Sequence, residues 1–89
     1  MKYRAEITVM PLNELLDPQG KAVHHGLENL NLKNIGDVRI GKHIRIELNA
    51  SDESEARQEI ELACKKLLAN PVMEYYEYQL MPVEQNAAV

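Results

Sequence analysis

The sequence predicts an α+β protein, with an antiparallel sheet in one layer and two helices in the other. Three observations carry that prediction. Apolar residues alternate with period two near both ends of the chain and again in its middle. Two stretches of helical period lie between these, each introduced by an aspartate. Turn residues punctuate the joints. A chain of 89 residues has room for one small domain and one core, with a large surface for its volume.

The first strand is "KYRAEITVM", residues 2–10. Tyr3, Ala5, Ile7 and Val9 share one face; Arg4, Glu6 and Thr8 share the other. Pro11 closes it. In "LLDPQGKAVHHGL" the period changes. Asp17 is placed to cap a helix, and Pro18 suits the first helical position. Val23, Leu27 and Leu30 then recur at i, i+4 and i+7, with Gly26 beside them. Gly20 is out of place in the first turn, where it costs about 1 kcal/mol against alanine. It suggests that backbone is needed there: bare N–H groups at a helix start suit a partner carbonyl or an anion. "NLKN" and Gly36 end this helix.

"DVRIGKHIRIEL" reads as a hairpin. Val38 and Ile40 alternate with Asp37 and Arg39; Ile44, Ile46 and Leu48 alternate with Arg45 and Glu47. Gly41-Lys42 is the natural turn, with glycine first as type II′ requires. "SDESEARQEIELACKKLLANP" is the second helix. Asp52 and Glu55 form a variant capping box. Ala56, Ile60, Ala63, Cys64 and Leu67 make its apolar stripe. Lys65 and Lys66 suit the negative end of the dipole, and Asn70-Pro71 ends it. The last strand, "VMEYYEYQLM", carries large apolar residues on both faces, and Pro82 ends it. The order β-α-β-β-α-β, with right-handed crossovers, gives a ferredoxin-like two-layer sandwich. One domain covers residues 1–82, and residues 83–89 read as a flexible C-terminal tail.

Composition narrows the function. The formal net charge of −4 argues against nucleic acid as a partner, because phosphate binding needs a basic surface. The absence of Phe and Trp removes the base-stacking aromatics of an RNA-binding sheet. The single cysteine excludes an internal disulfide framework. No apolar run reaches membrane-spanning length and the N-terminus is not a signal peptide, so a cytoplasmic location is expected. Cys64 lies in an apolar stripe, where thiols are packing groups rather than nucleophiles. His24 and His25 point about 100° apart on a helix and make a poor metal pair with His43. Neither a phosphate-binding loop nor a Ser-His-Asp set is present, so catalytic and metal residues are expected to be absent.

Three segments together resemble one family: "LDPQGKAV" (Leu16–Val23), "DVRIGK" (Asp37–Lys42) and "KLLANPVME" (Lys66–Glu74). In this order and spacing they resemble PurS, the small subunit of phosphoribosylformylglycinamidine synthase. The resemblance implies a role in purine biosynthesis. The complex converts formylglycinamide ribonucleotide, glutamine and ATP to formylglycinamidine ribonucleotide. It implies two partners: a glutaminase subunit that releases ammonia, and a large synthetase subunit that uses ATP and Mg. The small subunit joins them, with a part in ammonia transfer, and is itself a homo-oligomer, dimer or tetramer. On this reading the chain binds no cofactor and no membrane. Asp17, Pro18, Gln19, Gly20, Arg39, Gly41, Lys42, Asn70 and Glu74 are the candidate partner-interface residues. Tyr75, Tyr76, Tyr78 and Met81 are the candidate oligomer interface, because one sheet layer buries only one face of a strand. Arg39 is expected to leave the core and pair with a partner carboxylate. The alternative is a small-molecule-binding regulatory domain of ferredoxin-like topology.

Overall fold

In the computed structural model, residues 1–83 are described. Of the predicted tail, residues 83–89, all but Val83 lie outside them, and Val83 is in the last strand. The sheet is built on β1 (Lys2–Pro11), with β2 (Lys42–Asn49) on one side and β3 (Glu74–Val83) on the other, both antiparallel to it. Ile7 faces Ile44 across one ladder and Tyr78 across the other. The period-two reading of β1 holds: Tyr3, Ala5, Ile7 and Val9 are all buried, the last three completely. Val83 pairs with Lys2, so β3 runs one residue past Pro82. Proline is tolerated there because β3 is an edge strand.

Helix α1 spans Pro18–Asn29 and α2 spans Glu53–Ala63. Asp52 caps α2 by accepting from the Glu55 N–H at 2.8 Å, and Glu55 reaches back to the Ser51 N–H at 3.1 Å. Ala56, Ile60 and Cys64 press on the inner face of the sheet. A π-helical turn, Cys64–Leu68, continues α2, closed by the Ala69 N–H on the Cys64 carbonyl. The wider turn shifts the helical register. Leu68 therefore packs on the core, and Leu67, predicted in the stripe, is 82% exposed.

The two helices and the antiparallel sheet follow the predicted fold class, with β1 between two mutually parallel strands. The predicted hairpin is different. Val38 and Ile40 form no strand, and no glycine has positive φ, so Gly41 cannot start a type II′ turn. Glycine is required at 41 for another reason: a Cβ would sit 2.3 Å from the Val9 carbonyl oxygen. Nor does α1 cover the sheet. Gly20 is its one buried residue, and the helix lies against the segment that follows it. It ends earlier than Gly36, at a Schellman motif with Asn31 at φ 66° and the Leu32 N–H on the Leu27 carbonyl.

Candidate functional site

The three segments singled out by sequence meet at one end of the sheet, and one carboxylate joins the first two. Asp17 is in extended conformation before α1. Its Oδ1 accepts from the Gly20 N–H at 3.0 Å and its Oδ2 from the Ile40 N–H at 2.8 Å. These bonds, the Ile40 one first, hold the Asp17 carboxyl below its ordinary pKa of 3.8. Gly20 is needed because the Val38 carbonyl comes in where a side chain would stand: a Cβ would lie 2.2 Å from that oxygen. The Gly20 N–H is thus bonded inside the chain, which leaves it no partner carbonyl or anion to receive.

Arg39 also acts within the chain. Its guanidinium donates to the carbonyls of Leu15 at 2.6 Å and Asn13 at 2.8 Å, with Leu12 at 3.5 Å and the Asp37 carboxylate at 3.6 Å. It fastens the connection between β1 and α1, rather than reaching out to a partner carboxylate. The third segment closes on itself. Glu74 Oε1 accepts from the Asn70 N–H at 2.8 Å, Asn70 Oδ1 from the Val72 N–H at 3.0 Å, and the Glu74 N–H returns to the Asn70 carbonyl at 2.7 Å. The Leu12 N–H on the Met73 carbonyl ties this turn to the end of β1.

Between the segments lie two adjoining hollows that share Ile40 and Glu74. One, of about 330 Å³, is lined by Asp17, Pro18, Asn70 and Met73 among others; its neighbour, of about 240 Å³, by Gln19, Gly41 and Lys42. Gly20 and Arg39 stand behind this surface. Gln19 and Lys42 are exposed and present a carboxamide and an ammonium beside Glu74. The arrangement offers hydrogen bonds and charge to a polar segment. Cys64 lies elsewhere and is fully buried; burial, with the nearby Glu61, pushes its thiol upward, away from nucleophilic form.

Comparison with known proteins bears on this surface. The family model described as PurS, phosphoribosylformylglycinamidine (FGAM) synthase, matches residues 4–82. The chain belongs to this family. PurS of Synechocystis is 40% identical over 82 residues, covering 92% of this chain and 82% of that one. The crystal structure of Bacillus subtilis PurS matches with TM-score 0.81 at 36% identity, over 90% of this chain and 99% of that one. A chain of the structure described as PurLQS from Thermotoga maritima matches with TM-score 0.83 at 28% identity, over 91% and 99%.

Within this chain the predicted oligomer residues divide between the two faces of β3. Tyr76 and Tyr78 pack on the core under α2, their rings stacked at 6.5 Å. The Tyr78 hydroxyl donates to Glu61 at 2.9 Å, and Arg57 sits 5.7 Å over its ring. Tyr75, 39% exposed, and half-buried Met81 lie on the opposite face. That face carries a charge ladder the sequence reading did not single out. Glu6 accepts from Arg45 and from His43, and Glu47 from Arg4 at 2.9 Å, with Lys2 at 3.3 Å. Arg45, then His43, lower the Glu6 pKa below its ordinary 4.5. The signal was present in the register, since Glu6 stands opposite Arg45 and Arg4 opposite Glu47. Among the described residues no three His, Cys, Asp or Glu side chains cluster as metal ligands, and no helix is long and apolar enough to cross a membrane.

Proposed function

We propose that this chain is the assembly subunit of a phosphoribosylformylglycinamidine synthase, joining a glutaminase subunit to a large synthetase subunit in purine biosynthesis. The observation that carries this reading is the whole-chain match to a component of the Thermotoga maritima PurLQS structure. The chemistry of the meeting point agrees with it. Asp17, Gly20 and Arg39 shape the surface from within, Asn70 and Glu74 brace its turn, and Gln19 and Lys42 offer their polar groups outward. The chain works as a homo-oligomer in the cytoplasm and holds no cofactor; ATP and Mg belong to the synthetase partner. The regulatory-domain reading is not favoured, because the matches run to PurS proteins along almost the whole chain.

The test is reconstitution. Glutamine-dependent FGAM formation by the two larger subunits is expected to require this chain, and Lys42→Glu is expected to weaken it at least tenfold through charge reversal at the contact. The chain alone is expected to turn over neither glutamine nor ATP. Equal synthesis with and without the chain would overturn the proposal.

A further inference from the structure

Met10 stands near the end of β1, half-buried, on the outer face with Glu6 and Thr8. On one side it faces Tyr75 of β3. On the other side the ladder to β2 stops one residue earlier, at Val9 and Lys42. Continued by one step, that register brings Gly41 opposite Met10, and Gly41 has no side chain to fill the place. The Met10 sulfur takes the space instead. A Cβ at residue 41 would lie 2.3 Å from that sulfur and equally close to the Val9 carbonyl oxygen.

Gly41 joins two fixed points. Ile40 before it is bonded to Asp17, and Lys42 after it is the first residue of β2. A glycine backbone has the widest freedom of any residue. Outside the ladders, among the described residues, Gly41 makes no backbone hydrogen bond. Its course is therefore set by what packs on it, the Val9 carbonyl and the Met10 thioether. An unbranched, polarizable thioether suits such an irregular gap. Gly41 and Lys42 line the smaller hollow together with Gln19 and Glu74. The packing on residue 41 thus decides where the exposed Lys42 ammonium stands.

We propose that Met10 is a positioning residue for the partner surface: its thioether fills the space of the side chain that residue 41 lacks, and so fixes where Lys42 presents its charge. Met10 touches no partner in this role and acts through Gly41 and Lys42. A surface ordered before contact loses less freedom on association than a loose one, and so binds at lower concentration. The inference rests on the assembly reading above and names the residue that orders its contact surface.

The experiment compares Met10→Val and Met10→Leu in the full chain. Valine suits a strand but ends one atom short of the sulfur's position, whereas leucine still places an atom there. Backbone amide relaxation by NMR reads the order of Gly41 and Lys42 on the ps–ns scale. Both residues are expected to loosen in Met10→Val and to keep the parental order in Met10→Leu. Titration of each protein into the two larger subunits reads the consequence. The chain concentration that half-saturates glutamine-dependent synthesis is expected to rise about three- to tenfold for Met10→Val, the cost of ordering a loosened side chain. The rate at saturation is expected to stay parental, and Met10→Leu is expected to restore the half-saturation. A lower rate even at saturation, or unfolding of Met10→Val at the assay temperature, would overturn the proposal by making Met10 a support of the whole fold. Unchanged relaxation, or parental half-saturation in Met10→Val, would overturn it with the assembly reading intact. Synthesis that ignores the chain altogether sinks the assembly reading, and the positioning with it.

Discussion

Gly20→Ala isolates the contact that shapes the site. Alanine is the better helix former, so propensity alone would stabilise α1 by up to about 1 kcal/mol. The structure opposes that gain. The added Cβ would stand 2.2 Å from the Val38 carbonyl oxygen and 2.8 Å from Asp17 Oδ2. Ordinary contact needs about 3.5 Å, so the backbone of Val38 must retreat by roughly 1 Å. Overpacking of this kind costs about 1–3 kcal/mol. The retreat also pulls Ile40 from Asp17 and so breaks a 2.8 Å bond to a carboxylate. With the lost bond offsetting the propensity gain, the net loss is about 1–3 kcal/mol. At some 4–8 °C per kcal/mol for a domain of this size, Tm falls by about 4 °C or more. The control is Gly26→Ala, in the same helix with nothing within 4 Å; it is expected to differ from the parent by no more than about 1 kcal/mol. The assay is urea and thermal unfolding followed by circular dichroism. Chain concentration is held fixed because association contributes to stability. A Gly20→Ala protein as stable as the parent, or indistinguishable from Gly26→Ala, would refute the close approach of Val38.

Arg39→Met keeps the aliphatic stem and deletes the donors to Leu15 and Asn13. It is expected to cost about 1–3 kcal/mol and to speed proteolysis between residues 12 and 16, whereas an unchanged melt and digestion pattern would class the arginine as a surface charge. The Asp17 carboxyl, held below 3.8 by the Ile40 and Gly20 N–H groups, contributes stability that is complete above its unfolded pKa. That contribution is lost as pH falls through the lower folded value. The urea midpoint is therefore expected to drop more steeply below about pH 4 in the parent than in Asp17→Asn, and parallel profiles would remove Asp17 from the acid response.

What the sequence made legible is what strict alternation and capping chemistry encode. Four residues of β1 at period two became four buried side chains, and the aspartates before both helices became caps through the bonds expected of them. The site was legible as three segments, because its residues are types with narrow uses: an aspartate before proline, a glycine in a helix turn, an asparagine before proline. Their roles were not. Arg39 was read from strand alternation as pointing to a partner. Its fork instead meets three carbonyls of a connection that has no periodicity to read. Gly20 was read as exposing N–H groups, yet it makes room for a carbonyl 18 residues further on, a contact that depends on tertiary approach. The misplacement of Leu67 comes from the π-helical turn, because a stripe projected at 3.6 residues per turn fails once the chain adds a residue.

The hairpin shows a different limit. Alternation at Asp37–Ile40 says that the segment can lie at a sheet edge, and the free edge of β2 says that a strand is wanted there. Neither says that the two pair. The decision falls to Gly41. A type II′ turn at that residue needs positive φ and would close the hairpin inside the chain; the observed backbone lacks it and runs on toward Asp17. A sequence pattern reports which residues alternate, and not where the turn beyond them leads. The path of the chain past residue 41 depends on the Val9 carbonyl, which packs against a residue with no Cβ.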